Sequence, residues 1–171
     1  PHRADTILLE SVVRPEAWWI QAALGGAVYD ARRSVVIGRV SPGLQAGRRF
    51  NFWGVFVTAE LDHVFDFTFD TRRLDVLNLG VGGEFLNFMG HVRSTLAAGA
   101  SVLLSRTSID EPGEVGWFVD FRPGALRWGI GDAWAFELSP LSVDVIVPVT
   151  EGIPLIVLSF MTTLSVEWSV Q

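Results

Sequence analysis

The stretch IVLSFMTTLSVEW, residues 156–168, decides the fold. Ile156, Leu158, Phe160, Leu164, Val166 and Trp168 recur at every second position, broken only at Thr162, while Ser159, Thr163, Ser165 and Glu167 lie between them. Successive side chains of a β-strand point to opposite faces, so this spacing predicts a strand with one greasy face and one polar face. The pattern recurs along the chain. A wall with lipid outside and a small polar interior accommodates it better than a water-soluble sandwich does.

Seven further strands follow from the same alternation. Trp18, Ile20, Ala22, Leu24 and Val28 oppose Gln21, Ala23, Gly25 and Ala27, and over Val35–Leu44 the apolar set Val36, Val40 and Leu44 opposes Arg39, Ser41 and Gly43. The third strand is the cleanest: Trp53, Val55, Val57, Ala59 and Leu61 alternate with Gly54, Phe56, Thr58, Glu60 and Asp62. Leu77, Leu79 and Val81 then face away from Asn78, Gly80, Gly82 and Glu84. Leu96, Ala98, Ala100, Val102 and Leu104 face away from Arg93, Thr95, Ala97, Gly99 and Ser101. In the sixth strand Trp117, Val119 and Phe121 oppose Asp120, Arg122 and Gly124.

The seventh starts with Phe136 and Leu138 against Glu137 and Ser139, but beyond Pro140 the apolar parity passes to Val143 and Val145 around Asp144. A one-residue bulge at Pro140-Leu141 explains the switch. Regular strands, polar Gly/Pro/Asp turns and no helical period between them predict an all-β, eight-stranded antiparallel up-and-down transmembrane β-barrel over residues 17–171. Residues 1–16, of mixed periodicity up to Pro15, are expected to form an N-terminal arm or a short amphipathic segment.

Composition agrees with a barrel. Hydrophobic residues make up 49% of the 171, yet no unbroken apolar run reaches the roughly 18 residues that a membrane-crossing helix needs. The apolar residues must therefore be spread over strands, either in the core of a soluble protein or on a wall facing lipid. The formal net charge of −6 and the absence of a basic stripe argue against a nucleic-acid partner. All thirteen basic residues are Arg, the better partner for carboxylates in a confined interior. Cysteine is absent, which removes disulfides, thiolate metal sites and a cysteine nucleophile. Pro1-His2-Arg3-Ala4-Asp5 does not open a signal peptide, so an exported protein is expected to be read here in processed form.

Residue types separate lipid outside from water outside. The presumed inner face carries Gly, Ala, Ser and Thr together with Arg39, Glu60, Asp62, Glu84, Arg93, Asp120, Arg122, Glu137 and Glu167, whereas the other face is mostly Val, Leu, Ile and aromatic. A soluble lipocalin-like barrel has the opposite distribution. Aromatic residues gather towards strand ends, at Trp18-Trp19, Phe50, Phe52 and Trp53, Phe65, Phe67 and Phe69, Phe85 and Phe88, Trp117-Phe118, Trp128, Trp134, Phe136 and Trp168. Girdles at two membrane interfaces would fall there. A soluble β-sandwich core is the competing account of the same residues.

From Trp18 to Trp168 the chain resembles the small eight-stranded bacterial outer-membrane barrels of the OmpA/OmpX/OmpW-like class, in strand pattern and terminal aromatic. Members usually end on an aromatic residue, whereas Ser169-Val170-Gln171 follow Trp168 here. The resemblance implies outer-membrane lipid as the partner, with other envelope proteins as further candidates.

Eight strands enclose a bore that side chains can fill, and buried charges require partners, so the inner acids and arginines are expected to pair across the lumen. That points to a structural or anchoring role. A narrow gated channel or a small-ligand barrel using the polar lumen is the alternative, and a soluble lipocalin-like binder is a second. With both termini periplasmic, the outer connections Asp30–Ser34, Asp66–Arg73, Arg106–Glu114 and Pro148–Pro154 are all short, and the acids Asp110, Glu111, Glu114 and Glu151 read as solvated tips.

No enzyme is expected. His63 falls by parity on the lipid side of the third strand and His91 in an inner turn near Ser94, neither beside a serine and an orienting acid. Gly80-Val81-Gly82-Gly83 is followed by no helix pattern and the chain has no Lys, so small inward residues explain it better than a phosphate loop does. His2, His63 and His91 lack metal-ligand spacing, and neither a metal nor a cofactor is expected.

Overall fold

The computed structural model describes residues 16–30, 36–66, 73–106, 115–147, 149–150, 153–154 and 157–170. Eight long strands, β1 (Trp18–Asp30), β2 (Val36–Phe50), β3 (Trp53–Asp66), β4 (Arg73–Asn87), β5 (Val92–Arg106), β6 (Val115–Ile130), β7 (Trp134–Val147) and β10 (Val157–Val170), form a closed barrel in which each strand pairs with its neighbours in sequence. β8 (Val149–Thr150) and β9 (Ile153–Pro154) make a small separate pair. β10 closes the ring on β1 in antiparallel register, from Trp18 opposite Val170 to Gly26 opposite Thr162. Closure removes the exposed edges that an open sheet cannot keep in lipid. Each long strand exceeds the roughly 9–11 residues that a tilted crossing requires.

The wall is inside-out relative to a soluble protein. Gln21, Arg39, Arg49, Asp62, Glu84, Arg93, Arg122 and Glu167 are buried, whereas Ile20, Leu44, Val57, Val81, Leu96, Phe121, Phe160 and Leu164 are exposed. That distribution is stable only with hydrocarbon around the wall. The inner and outer sets read from the alternation agree with the burial along the seven strands whose central side chains are described, Gly124 on β6 excepted, and along β10 from Phe160 onward. Ile156 and the outer connections over residues 31–35, 67–72, 107–114, 148, 151–152 and 155–156, together with the arm 1–15, lie outside the described residues.

Among the described residues three register shifts interrupt the ladders: one lies at Leu104, where Val76 pairs with Leu103 but Asp75 with Ser105, and the other two turn the alternation over within β7 and β6. On β7, Met161 pairs with Ser142 but Thr163 with Ser139, so Pro140 and Leu141 together face Thr162. The parity switch at Pro140-Leu141 is this bulge. A second sits at Pro123-Gly124, where Thr95 pairs with Arg122 and Arg93 with Ala125. Gly124 therefore belongs to the bulge, and Ala125 and Arg127 become the inward residues beyond it. Both bulges use the same device. The hydroxyl opposite donates to the proline carbonyl, Thr162 Oγ1 to Pro140 O at 3.1 Å and Ser94 Oγ to Pro123 O at 2.6 Å.

The connections at the end carrying Trp18 and Val170 are tight. Asn51 (φ 61°) turns β2 into β3 and Gly131 (φ 62°) turns β6 into β7, both residue types that tolerate the left-handed region. Exposed Trp18, Trp53, Phe85, Trp128, Trp134 and Trp168 ring this end of the wall. Trp19 and Phe118, grouped with the girdles in the sequence reading, instead point inward and are buried. They fit because residues their rings reach on neighbouring strands lack side chains: a Cβ on Gly47 would lie 2.8 Å from Trp19, and one on Gly80 would lie 2.7 Å from Phe118. Gly82 leaves the same kind of space for Phe56.

Candidate functional site

The lumen carries two layers of charge. Near the end carrying Trp18 and Val170, Arg49 donates from Nε to Glu84 Oε1 at 2.9 Å and from both terminal nitrogens to Glu167 at 3.0 Å. Arg93 reaches Glu84 at 2.7 Å, Glu137 at 3.3 Å and Gln21 Oε1 at 2.5 Å. Arg127 completes the layer on Glu167 at 2.6 Å. The Arg93 guanidinium also lies 4.5 Å from the centre of the Trp19 ring and 5.8 Å from that of Phe56. A cation over an aromatic face is stabilised by the ring quadrupole, most strongly when both are dry.

Every strand of the barrel supplies a member of this layer. β1 gives Trp19 and Gln21, β2 Arg49, β3 Phe56, β4 Glu84, β5 Arg93, β6 Arg127, β7 Glu137 and β10 Glu167. Three arginines face three glutamates, so the layer is neutral with all six ionised. Removing one partner from such a buried set typically costs about 3–5 kcal/mol, because it strands the charge left behind.

The second layer lies towards the loop end. Arg39 bridges Asp62 at 2.5 Å, Asp144 at 2.8 Å and Glu60 at 3.3 Å, while Arg122 joins Asp120 at 2.9 Å to Glu60 at 3.2 Å. Ser41 Oγ and Asn78 Nδ2 each donate to Asp62 at 2.5 Å. Here four carboxylates meet two guanidiniums. Among the described residues no three His, Asp or Glu side chains converge in a way that could hold a metal ion.

The nine charged residues singled out from sequence thus fall into two groups. Glu84, Arg93, Glu137 and Glu167 sit in the first layer, and Arg39, Glu60, Asp62, Asp120 and Arg122 in the second. Three members were not in that set. Arg49 continues the inward parity of Arg39, Ser41 and Gly43 past Leu44, the end of the second strand expected from sequence, because β2 runs on to Phe50. Arg127 appears only once the Pro123 bulge is allowed for, and Asp144 stands inward between Val143 and Val145. His63 lies on the outer wall, its Nδ1 paired with Asp75 Oδ1, and Ser94 is held by Pro123 rather than by His91.

The architecture recurs among solved structures. Neisserial surface protein A superposes with a TM-score of 0.59 at 11% identity, covering 90% of this chain and 96% of that one. The fold is that of the small bacterial outer-membrane barrels. The Yersinia pestis outer membrane protein Ail gives 0.55 at 10% identity over 92% of this chain and all of its own. The N-terminal β-barrel domain of Pseudomonas aeruginosa OprF gives 0.50 at 12% identity over 91% of this chain and 98% of that domain. No protein-family model and no curated protein sequence matches the chain. At these identities the likeness concerns the fold, and the lumenal chemistry must be argued from this chain's own residues.

Proposed function

We propose that this outer-membrane barrel has a structural role, as a non-enzymatic anchor or as a subunit of a larger envelope assembly, with a lumen closed by its own side chains. The observation that carries the reading is the neutral layer built from all eight long strands, in which Arg49, Arg93 and Arg127 pair with Glu84, Glu137 and Glu167 across the bore. Such a layer links strands far apart in the ring and opposes register slips, since a slip of one residue would turn these charges to lipid. A lipocalin-like binder needs an apolar interior, and this interior holds more buried polar and charged side chains than apolar ones.

The second reading, a narrow channel or ligand barrel, draws on the loop-end layer, where Glu60, Asp62, Asp120 and Asp144 outnumber Arg39 and Arg122. Planar-bilayer recording separates the two. The plugged barrel passes no steady current, whereas stable cation-selective openings of the wild-type protein would transfer the function to transport.

A further inference from the structure

Of the six arginines whose side chains are described, Arg39, Arg49, Arg93, Arg122 and Arg127 are buried in the lumen and Arg48 alone is exposed on the outer wall. Its guanidinium lies 5.5 Å from the centre of the Trp18 ring and 5.1 Å from that of Phe50, within the aromatic girdle at the end carrying Trp18 and Val170. Among the described residues no acid pairs with it. A cation held at girdle height is where the headgroup phosphates of that leaflet lie.

Beside Arg48 the wall is recessed. A groove of about 780 Å³ is floored by Ala46 and the backbone of Gly47, with Trp18 and Ile20 on one side and Val55 and Val57 on the other. The recess has a local cause: β2 presents Ala46 outward between strands that present larger side chains, opposite Ile20 on β1 and Val57 on β3. Its size falls within the range of about 300–1,000 Å³ typical of small-molecule sites, and its lining is almost wholly apolar.

We propose that this groove, with Arg48 at its mouth, is a binding site for an anionic phospholipid of the periplasmic-side leaflet. One acyl chain lies along Ala46 between the β1 and β3 side chains, and the phosphate accepts hydrogen bonds from Arg48. Arg suits this task because its planar fork can donate two bonds to one phosphate while its stem and flat face rest on aromatic rings. The proposal rests on the membrane reading of the barrel and on both termini being periplasmic. It adds a lipid preference to the generic apolar contact that the rest of the wall offers.

The test uses the full chain refolded into vesicles of phosphatidylglycerol and phosphatidylcholine in equal amounts with matched acyl chains, then native mass spectrometry of the lipid retained. Wild type should retain one phosphatidylglycerol in preference to phosphatidylcholine. Arg48→Gln should lower that preference about fivefold, the equivalent of about 1 kcal/mol for one basic residue near a charged surface. Arg48→Lys should keep most of it. Ala46→Phe should abolish retention of both lipids by filling the groove, with Ala46→Leu in its place if the larger ring prevents folding. Equal retention of the two lipids by wild type, or a preference that survives Arg48→Gln, overturns the site. A chain that never enters the vesicles refutes the membrane reading instead.

Discussion

Glu84 is the residue on which the lumenal layer turns. Its two carboxylate oxygens accept from Arg49 Nε at 2.9 Å, Arg49 Nη2 at 3.0 Å and Arg93 Nε at 2.7 Å, all fully out of contact with solvent. Glu84→Gln keeps the shape but leaves three guanidiniums facing two carboxylates, and it turns an amide donor towards an arginine donor. The expected loss is about 3–5 kcal/mol, the usual cost of breaking a buried pair from one side. Adding Arg49→Gln restores two charges against two, Arg93 and Arg127 with Glu137 and Glu167. The double variant should then be more stable than the sum of the single losses by about 0.5–3 kcal/mol. Urea unfolding of vesicle-embedded protein, followed by tryptophan fluorescence, measures both quantities, with exposed Glu16→Gln as the control. A Glu84→Gln variant within about 0.5 kcal/mol of wild type, the ordinary range for a surface change, would refute the charged plug.

Three further outcomes follow from the wall. Val57→Arg places a charge on the lipid side four residues from the Trp53 girdle and should cost up to about 2–4 kcal/mol in the same unfolding assay, while Val57→Leu should cost little. Gly82→Ala drives a methyl into the Phe56 ring and the Leu96 carbonyl and should cost about 1–3 kcal/mol. Its neighbour Gly83 faces outward with nothing closer than 3.8 Å, so Gly83→Ala should leave the urea midpoint unchanged or raised. Ser94→Ala and Thr162→Val each remove one bulge hydrogen bond and should lose about 0.5–1.5 kcal/mol apiece, additively, because the two bulges share no partner.

The strands were legible because a lipid-facing barrel sorts its residues by face, and a period of two survives wherever no bulge intervenes. Pro140-Leu141 announced its own bulge, since apolar residues stand on both sides of it with opposite parity. Pro123-Gly124 did not. The run beyond it, Ala125-Leu126-Arg127-Trp128, is too short to reveal its new parity, which hides Arg127. Arg49 is obscured for a related reason: Gln45-Ala46-Gly47 presents no bulky outward residue, so the alternation fades after Leu44 although β2 runs to Phe50, and the same small residues create the groove beside Arg48.

Trp19 and Phe118 show a limit of a different kind. An aromatic residue near a strand end fits a girdle as well as a lumen, and the choice depends on whether a neighbouring strand leaves room inside. Gly47, paired with Trp19, and Gly80, one strand beyond the Gly99 that pairs with Phe118, make that room, and only the register shows which rings they face. Which acid answers which arginine is likewise decided by distance across the bore, something no spacing along a strand contains.

The central claim is a closed barrel embedded in lipid with its charges inside. Its most direct test is to refold the chain into phospholipid vesicles and compare the mobility of unheated and boiled samples on a detergent gel, alongside circular dichroism. A lipid-embedded barrel should show β-rich dichroism, remain with the vesicles on flotation, and migrate as a compact form that boiling converts to a slower one. A chain that stays monodisperse in buffer without detergent and leaves the vesicles behind on flotation would contradict it.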